Sequence, residues 1–509
     1  MLACGASAAA GAQEQGYIPL DDPVTRTIDA LVARGALPRL SALERPYRAA
    51  EVRGAVDSAL ARAGEGRPAL APHGWYRTVR SVAARYAGGG AADEIAVAVW
   101  LTPFLTAQST GGRELMLADT LAGVYPGAHL RLAATLGNVA AVTRLRVDRA
   151  LRDDAEYLGK KDRAVVARME DAYLAARWRF AALDVGRVAR NWGPAAYDGL
   201  QIGRYADTYD HVALVLGVDA LHLTTVVARL DDMPVVGTAS DTAIAQRYMT
   251  AHRLAARWRS FEAAVGEQVV YGGPGRGFEP SLANPVSLLD LNQYSEGELL
   301  NVSYALDLAL RTRGRGFYAV QAMLDDFQID ECGPQCEEPA SWGLTATAEA
   351  LPLGLPLDGR AFASYTRVTN LVYRTASPWV RMTFRELALG RGQTDYDEAR
   401  AGIELAPALG GPLRLYAALR RQGEGDYRLP FPPPAANSRT PAIFAGTVMR
   451  VARFGAQWSM SGPFEGVADL GWQRVRNYHH QAGASRDGFE GRLVVRVPLG
   501  VSARGSGGG

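Results

Sequence analysis

The feature that most constrains this chain is a period of two that keeps returning with arginine on one of its faces. In 299–313, LLNVSYALDLALRTR, residues Leu300, Val302, Tyr304, Leu306, Leu308 and Leu310 share one parity. Asn301, Ser303, Asp307, Arg311 and Arg313 share the other. Such alternation means a strand whose two faces meet different surroundings. Four more segments repeat it. Leu174, Trp178 and Phe180 stand against Arg177 and Arg179; Leu254 and Trp258 stand against Arg253, Arg257 and Arg259. Leu413, Leu415 and Leu419 oppose Arg414, Tyr416 and Arg420, and Leu493 and Val495 oppose Arg492 and Arg496. A single strand of a β-sandwich would divide in the same way. Arginine in mid-strand, strand after strand, is costly in a sandwich core. It is ordinary on the wet inner wall of a barrel whose apolar face meets lipid. The segments run ~10–14 residues, long enough to cross a bilayer at a tilt.

Strands are predicted near 95–109, 121–136, 138–149, 169–182, 184–192, 209–218, 219–231, 248–261, 264–272, 298–312, 315–328, 341–353, 357–371, 396–408, 412–421, 443–459, 463–477 and 488–500. That makes about eighteen, an even number, as single-chain bacterial barrels require. Short links such as GN, RGRG, LGGP and SGP alternate with long ones, the outer-membrane pattern of short periplasmic turns and long outer loops. WVRMTFRELAL (379–389) alternates too, but counting it would break the parity, so it is assigned to a loop.

Residues 17–90 have a helical period. Asp22 is a candidate N-cap before Pro23, Val24, Ile28 and Leu31 share a face, and Gly35 can end the helix. Two further helices are predicted over 49–63 and 72–86, with AGGG (87–90) as a hinge. The expected layout is a signal-peptide remnant over 1–16, a separable periplasmic helical element over 17–90, a barrel over 91–501 and a flexible tail over 502–509. The remnant rests on the small residues of MLACGASAAAGAQ, with an A-x-A-like end.

The 55 Lys+Arg nearly cancel the 53 Asp+Glu, which argues against a nucleic-acid partner held by a basic surface. Cys332 and Cys336 flank Gly-Pro and could close a small disulfide; with no second Cys pair and no nearby His, a zinc site is not expected. Acidic runs at 231–233 and 325–331 are thin material for calcium, so no metal or other cofactor is expected. The G-x-S-x-G, H-E-x-x-H and P-loop patterns are absent from the sequence, which points away from those enzyme classes.

VGRVARNWGP (185–194), NPVSLLDLNQYSEGE (284–298), RELALGRGQTDYDEA (385–399) and LRRQGEGDYRLPFP (419–432), in this order, resemble the Wzi capsule-assembly family of bacterial outer-membrane proteins. So does the opening YIPLDDPVTRTIDALVARGALP with ERPYRAAEV, within 17–52. The resemblance implies an eighteen-stranded barrel with a periplasmic three-helix element. It also implies a non-enzymatic, lectin-like role in holding exported capsular polysaccharide at the cell surface. The expected partners are that polysaccharide and outer-membrane lipid, with the protein a monomer. A porin or transporter for small anions or sugars is the alternative.

Sugars are bound by aromatic faces on C–H surfaces and by planar polar groups on hydroxyls. With the N-terminus in the periplasm, the strand at 184–192 runs outward and delivers Arg190, Asn191 and Trp192 to the outer mouth, near Tyr205 and Tyr209. A girdle tryptophan followed by a strand-ending proline fits the same residues. The loop 273–297 offers Asn284, Asn292, Gln293 and Tyr294, although Asn284-Pro285 also suits a cap. The loop 372–395 with its following residue offers Arg385, Arg391, Asp395 and Tyr396, which suit an acidic polymer or simply a solvated charged loop. On the inward parity, Arg253, Arg257, Arg259, Asp307, Arg311 and Arg414 are expected to form a charge network that narrows or closes the lumen, with partners on neighbouring strands.

Overall fold

Eighteen antiparallel strands, each hydrogen-bonded to the next, close on themselves when the last pairs with the first. The computed structural model describes residues 16–65, 69–87, 94–117, 122–163, 165–235, 244–291, 300–312, 314–326, 340–407, 410–433, 436 and 439–506. The strands are β1 Glu94–Gln108, β2 Gly123–Leu136, β3 Val139–Asp148, β4 Ala167–Arg177, β5 Ala181–Arg187 and β6 Asp210–Val218. They continue as β7 Leu221–Arg229, β8 Ile244–Arg257, β9 Phe261–Pro274, β10 Leu300–Thr312, β11 Gly316–Asp326 and β12 Ser341–Leu355. Then follow β13 Gly359–Val368, β14 Tyr396–Leu405, β15 Leu413–Gln422, β16 Met449–Met460 and β17 Glu465–Arg476. The last, β18, is Ser485–Arg496, resumed after Val497-Pro498 as Leu499–Ser506; both parts pair with β1. The final strand therefore runs past residue 501, into what the sequence suggests is a tail. Segment 379–389 stays out of the barrel, where Thr383–Phe384 and Leu387–Ala388 form a small hairpin of their own.

Parity separates the two faces as alternation requires. In β10, Leu306, Leu308 and Leu310 point outward and are exposed, while Ser303, Asp307 and Arg311 point inward and are buried. In β1, Ile95, Val97, Val99, Leu101 and Leu105 make an outward apolar row. Leaving so many large apolar side chains uncovered in water would be very unfavourable. A lipid-facing band removes that cost, and no helix among the described residues is long and apolar enough to cross a membrane. Aromatic residues sit toward the margins. Trp178, Phe180 and Trp258 lie in the short turns; Phe454, Trp472 and Phe489 instead form an exposed register row within β16, β17 and β18.

Two turns differ from expectation for one reason. AARWRF (175–180) and AARWRS (255–260) carry the alternation straight through a turn that lacks Gly, Asn or Pro. The chain reverses at the tryptophan, Trp178 N donating to Ala181 O at 2.8 Å and Trp258 N to Phe261 O at 2.7 Å. Strands β4 and β8 thus end four or five residues earlier than expected, and Arg259 lies exposed in a turn instead of on the lumen wall.

The helices are α1 Val24–Ala33, α2 Ala49–Gly64 and α3 His73–Tyr86. Asp22 Oδ1 accepts from Val24 N at 2.9 Å, and Gly35, at φ +74°, ends α1. Nearly every residue of α1 is buried, which an amphipathic surface helix cannot achieve. It packs in the lumen at the short-turn end, where inward-facing Ala309, Phe317, Ala319 and Ala350 join its core. The alanines leave the room that α1 fills. Polar contacts tie the element to the wall. Arg34 Nη2 lies 3.0 Å from Glu404, Ala42 N donates to Glu262 at 2.9 Å, and Trp75 Nε1 donates to Pro407 O at 3.0 Å. Arg85 also pairs with Glu465.

Candidate functional site

The long link after β5 does not stay at the rim. Gly186, at φ +119°, lets β5 end at Arg187, and the chain then dives into the lumen. There Asn191–Trp192 pairs as a short antiparallel ribbon with Glu44–Arg45 of the N-terminal element. Gly193 N donates to Leu43 O at 2.8 Å, and Gln321 of β11 donates to Trp192 O at 2.8 Å. The helices and this inward loop together fill the short-turn half of the barrel.

This corrects the placement of three candidates. Trp192 is 3% exposed, with the Arg253 guanidinium 5.5 Å from its ring, so it lies deep in the lumen and not at the outer mouth. Arg190 is buried between Asp184, at 2.7 Å, and His211. Asn191 is spent on Gly199 N at 2.7 Å. Tyr209 packs against Phe384 and His211 and is likewise buried. Asn284 is exposed and accepts from Val286 N, the capping role that Asn-Pro suits. Asn292, Gln293, Tyr294, Cys332 and Cys336 lie outside the described residues.

The inward charges meet the N-terminal element as well as neighbouring strands. Arg253 pairs with Asp307 and, at 3.0 Å, with Glu44. Arg311 donates to Leu40 O at 3.0 Å, with Glu262 at 3.8 Å. Arg414 bridges Glu349 at 2.7 Å and Glu404 at 2.9 Å. Arg257, at the very end of β8, donates to Asp219 O on the short-turn rim. Burial alone would raise the Glu44 carboxyl, but the His222 hydrogen bond and the charges of His222 and Arg253 pull it down to about 2.

Above this plug lies a cavity of about 600 Å³. Leu20, Asp21 and Arg26 form its floor, and long-loop residues such as Arg113, Glu114, Tyr205 and Asp207 form its upper wall. Three candidates face it: Tyr205, Arg391 and Tyr396. Tyr205 donates to Glu156 at 2.6 Å, and Arg113 stacks over its ring at 5.6 Å. Arg391 donates to Thr345 Oγ1 at 2.8 Å and lies 4.8 Å from the Tyr197 ring. Tyr396 lies under Arg420 at 4.1 Å. Beside them stand residues that sequence reasoning did not select for binding: Arg26, Tyr197, Arg400, Tyr416 and Arg420. Inward parity on β14 and β15 marks the last three. The signal for Arg26 is a lone cation in an otherwise buried helix.

The wall of this cavity carries twelve arginines against nine carboxylates. Each carboxylate has an arginine within 4.0 Å. Asp21 meets Arg144 at 2.6 Å, Asp207 meets Arg168 at 2.8 Å, Glu398 meets Arg400 at 2.9 Å and Asp469 meets Arg453 at 3.0 Å. Burial would raise the Asp21 carboxyl, but Arg144 and Arg496 hold it well below the usual range. Asp21, His129 and Glu170 converge closely enough to suggest a metal site, yet Arg144 already sits on both carboxylates, at 2.6 and 3.0 Å. A guanidinium does there what a cation would do. Tyrosine faces, fixed guanidiniums and an aqueous cavity make a surface able to bind a hydroxyl-rich, anionic ligand.

No protein-family model matches the chain, and no curated protein matches it in sequence. Among solved structures it superposes on Wzi of Escherichia coli, an outer-membrane protein involved in group 1 capsule assembly and described as a carbohydrate-binding β-barrel. The TM-score is 0.61 at 14% identity, over 95% of this chain and 99% of that one. OccK3 and OprD of Pseudomonas aeruginosa match more loosely, each with a TM-score of 0.43 over 80% of this chain, covering 96% and 95% of theirs at 14% and 12% identity. At such identities the likeness is one of fold: the chain is a closed eighteen-stranded barrel of the outer-membrane kind, built like Wzi.

Proposed function

We propose that this protein is a non-enzymatic outer-membrane barrel that binds exported extracellular or capsular polysaccharide on its long-loop side, with the helical element facing the periplasm. The observation that carries this is the division of the lumen. One half is filled by α1 and the inward loop, and the other is a cavity walled by tyrosine and arginine. A pore needs a continuous path, whereas a binding site needs a floor. The Wzi structure, which this fold matches along nearly its full length, is that of a carbohydrate-binding barrel, and this supports the proposal. The test is retention of the purified, detergent-solubilised protein on the surface polysaccharide of its own bacterium. Saturable binding that soluble polymer competes away is expected. A protein that ignores the polymer yet conducts ions steadily in a planar bilayer would instead be a porin.

A further inference from the structure

Three arginines on the cavity wall have no carboxylate within 4.0 Å among the described residues: Arg26, Arg391 and Arg492. They account for the excess of three positive charges there. Arg492 is occupied by the carbonyls of Gly112 and Arg113, and Arg391 by Thr345 and Tyr396. Arg26 differs from both in having no hydrogen bond or ion pair to a described residue, and its Nη1 is buried. Burial lowers its guanidinium to about 10; of the charges around it Arg204 acts most, ahead of the opposing Asp469 carboxylate and then Arg414 and Arg400. Asp469 is itself taken by Arg453, Gln457 and Tyr416. A desolvated cation among other cations is costly unless an anion completes the site.

Resting on the saccharide-binding proposal, we infer that the ligand is an acidic saccharide, and that Arg26 of α1, beside Arg400 and Tyr197, receives a sugar carboxylate. Arg400 stands on the same wall, its Nη2 serving Glu398. Tyr197, 5.9 Å below Arg400 and 4.8 Å below Arg391, offers a wall for the sugar ring. Isolated guanidiniums, each with one charge to spare, match a polymer that carries single charges at intervals, as a uronic-acid chain does. The N-terminal element then does two things: it closes the barrel and supplies a ligand contact.

The test uses the full-length protein in detergent with tetragalacturonate, and with its methyl ester as the neutral probe, by titration calorimetry at low and high salt. The acid is expected to bind roughly tenfold or more tighter than the ester, with the difference shrinking as salt rises. Arg26→Gln is expected to lose most of that preference, weakening the acid roughly tenfold more than the ester. It strands no partner, so its heat-dependent gel migration should match the parent's. Arg179→Gln, in an exposed short turn, controls for net charge and should alter neither affinity. Equal affinity for acid and ester overturns the acidic class while leaving saccharide binding intact. A full preference kept by Arg26→Gln overturns the assignment to α1. Failure of both probes to bind overturns this inference together with the proposed function.

Discussion

Replacing Arg253 by Met tests whether the lumen is held shut by buried charge. The Arg253 side chain is 1% exposed and that of Asp307 is 0% exposed, and the two pair across the strand between them. Glu44 of the N-terminal element is the second partner, at 3.0 Å. Methionine keeps most of the stem that packs near Trp192 and removes only the charged head. Asp307 would then be a buried carboxylate without its counter-charge, and Glu44 would keep only His222, at 3.0 Å. Breaking a buried pair from one side costs about 3–5 kcal/mol. Asp307→Asn is gentler, because Arg253 keeps Glu44; about 2 kcal/mol is expected. The double variant should cost less than the sum of the singles by roughly 2 kcal/mol, since the second change removes the charge that the first left stranded. The assay is urea unfolding in detergent, read as the fraction of unheated protein that still migrates as the compact barrel. A cost for Arg253→Met below about 1 kcal/mol, the range of an exposed ion pair, would refute the reasoning, as would strict additivity of the two changes.

Three further outcomes are expected. The intact protein should show no steady conductance in planar bilayers, while deletion of residues 17–87 should leave an assembled barrel that conducts; a silent deletion barrel would mean that the strands close the lumen by themselves. Glu44, held near 2 when folded against about 4.3 when unfolded, binds fewer protons in the native state, so its contribution of roughly 3 kcal/mol is full above about pH 4.3 and is lost as pH falls toward 2. Glu44→Gln should flatten stability over that window, and an unchanged pH profile would count against the pairing. Gly193→Ala should loosen the inward loop by about 1–3 kcal/mol, because φ is +133° and a Cβ would meet Gln321 at 2.6 Å, a side chain held by Leu200 N and Trp192 O; limited proteolysis of 188–209 would report it.

The barrel was legible because lipid and water impose opposite demands on alternate residues of every strand. Leu306, Asp307 and Leu308 each declare a face, so eighteen strands follow from parity even where the turns do not. The misplaced turns share a cause: Trp178 and Trp258 sit at the membrane margin, where an aromatic ring suits both a strand end and a turn. Nothing in AARWR separates the two roles. By that ambiguity parity assigns Arg259 to the lumen wall, whereas it lies exposed in the turn. Arg391 and Tyr396 line the cavity, a setting the sequence does not show, since parity tells which way a side chain points and not what fills the space it points into.

That limit explains the largest difference, the path of 188–209. Period two ends at Arg187, and beyond it Arg190, Asn191 and Trp192 look like any polar and aromatic loop at a barrel mouth. What draws them inward is a pairing over almost 150 residues, with Glu44–Arg45. The N-terminal element brings an unpaired ribbon edge into the lumen, and its backbone groups need partners once they leave water. Asn191–Trp192 and Gln321 supply them. Hydrogen-bond satisfaction of this kind has no periodic signature. It does carry a functional consequence: helix, ribbon and loop are one cooperative floor. A change at Arg45, Gly193 or Gln321 should therefore alter the cavity above as well as the seal below, and polymer binding and ion leak should change together in such variants. Variants at Arg26, which faces the cavity and is not among the contacts of that ribbon, should separate the two.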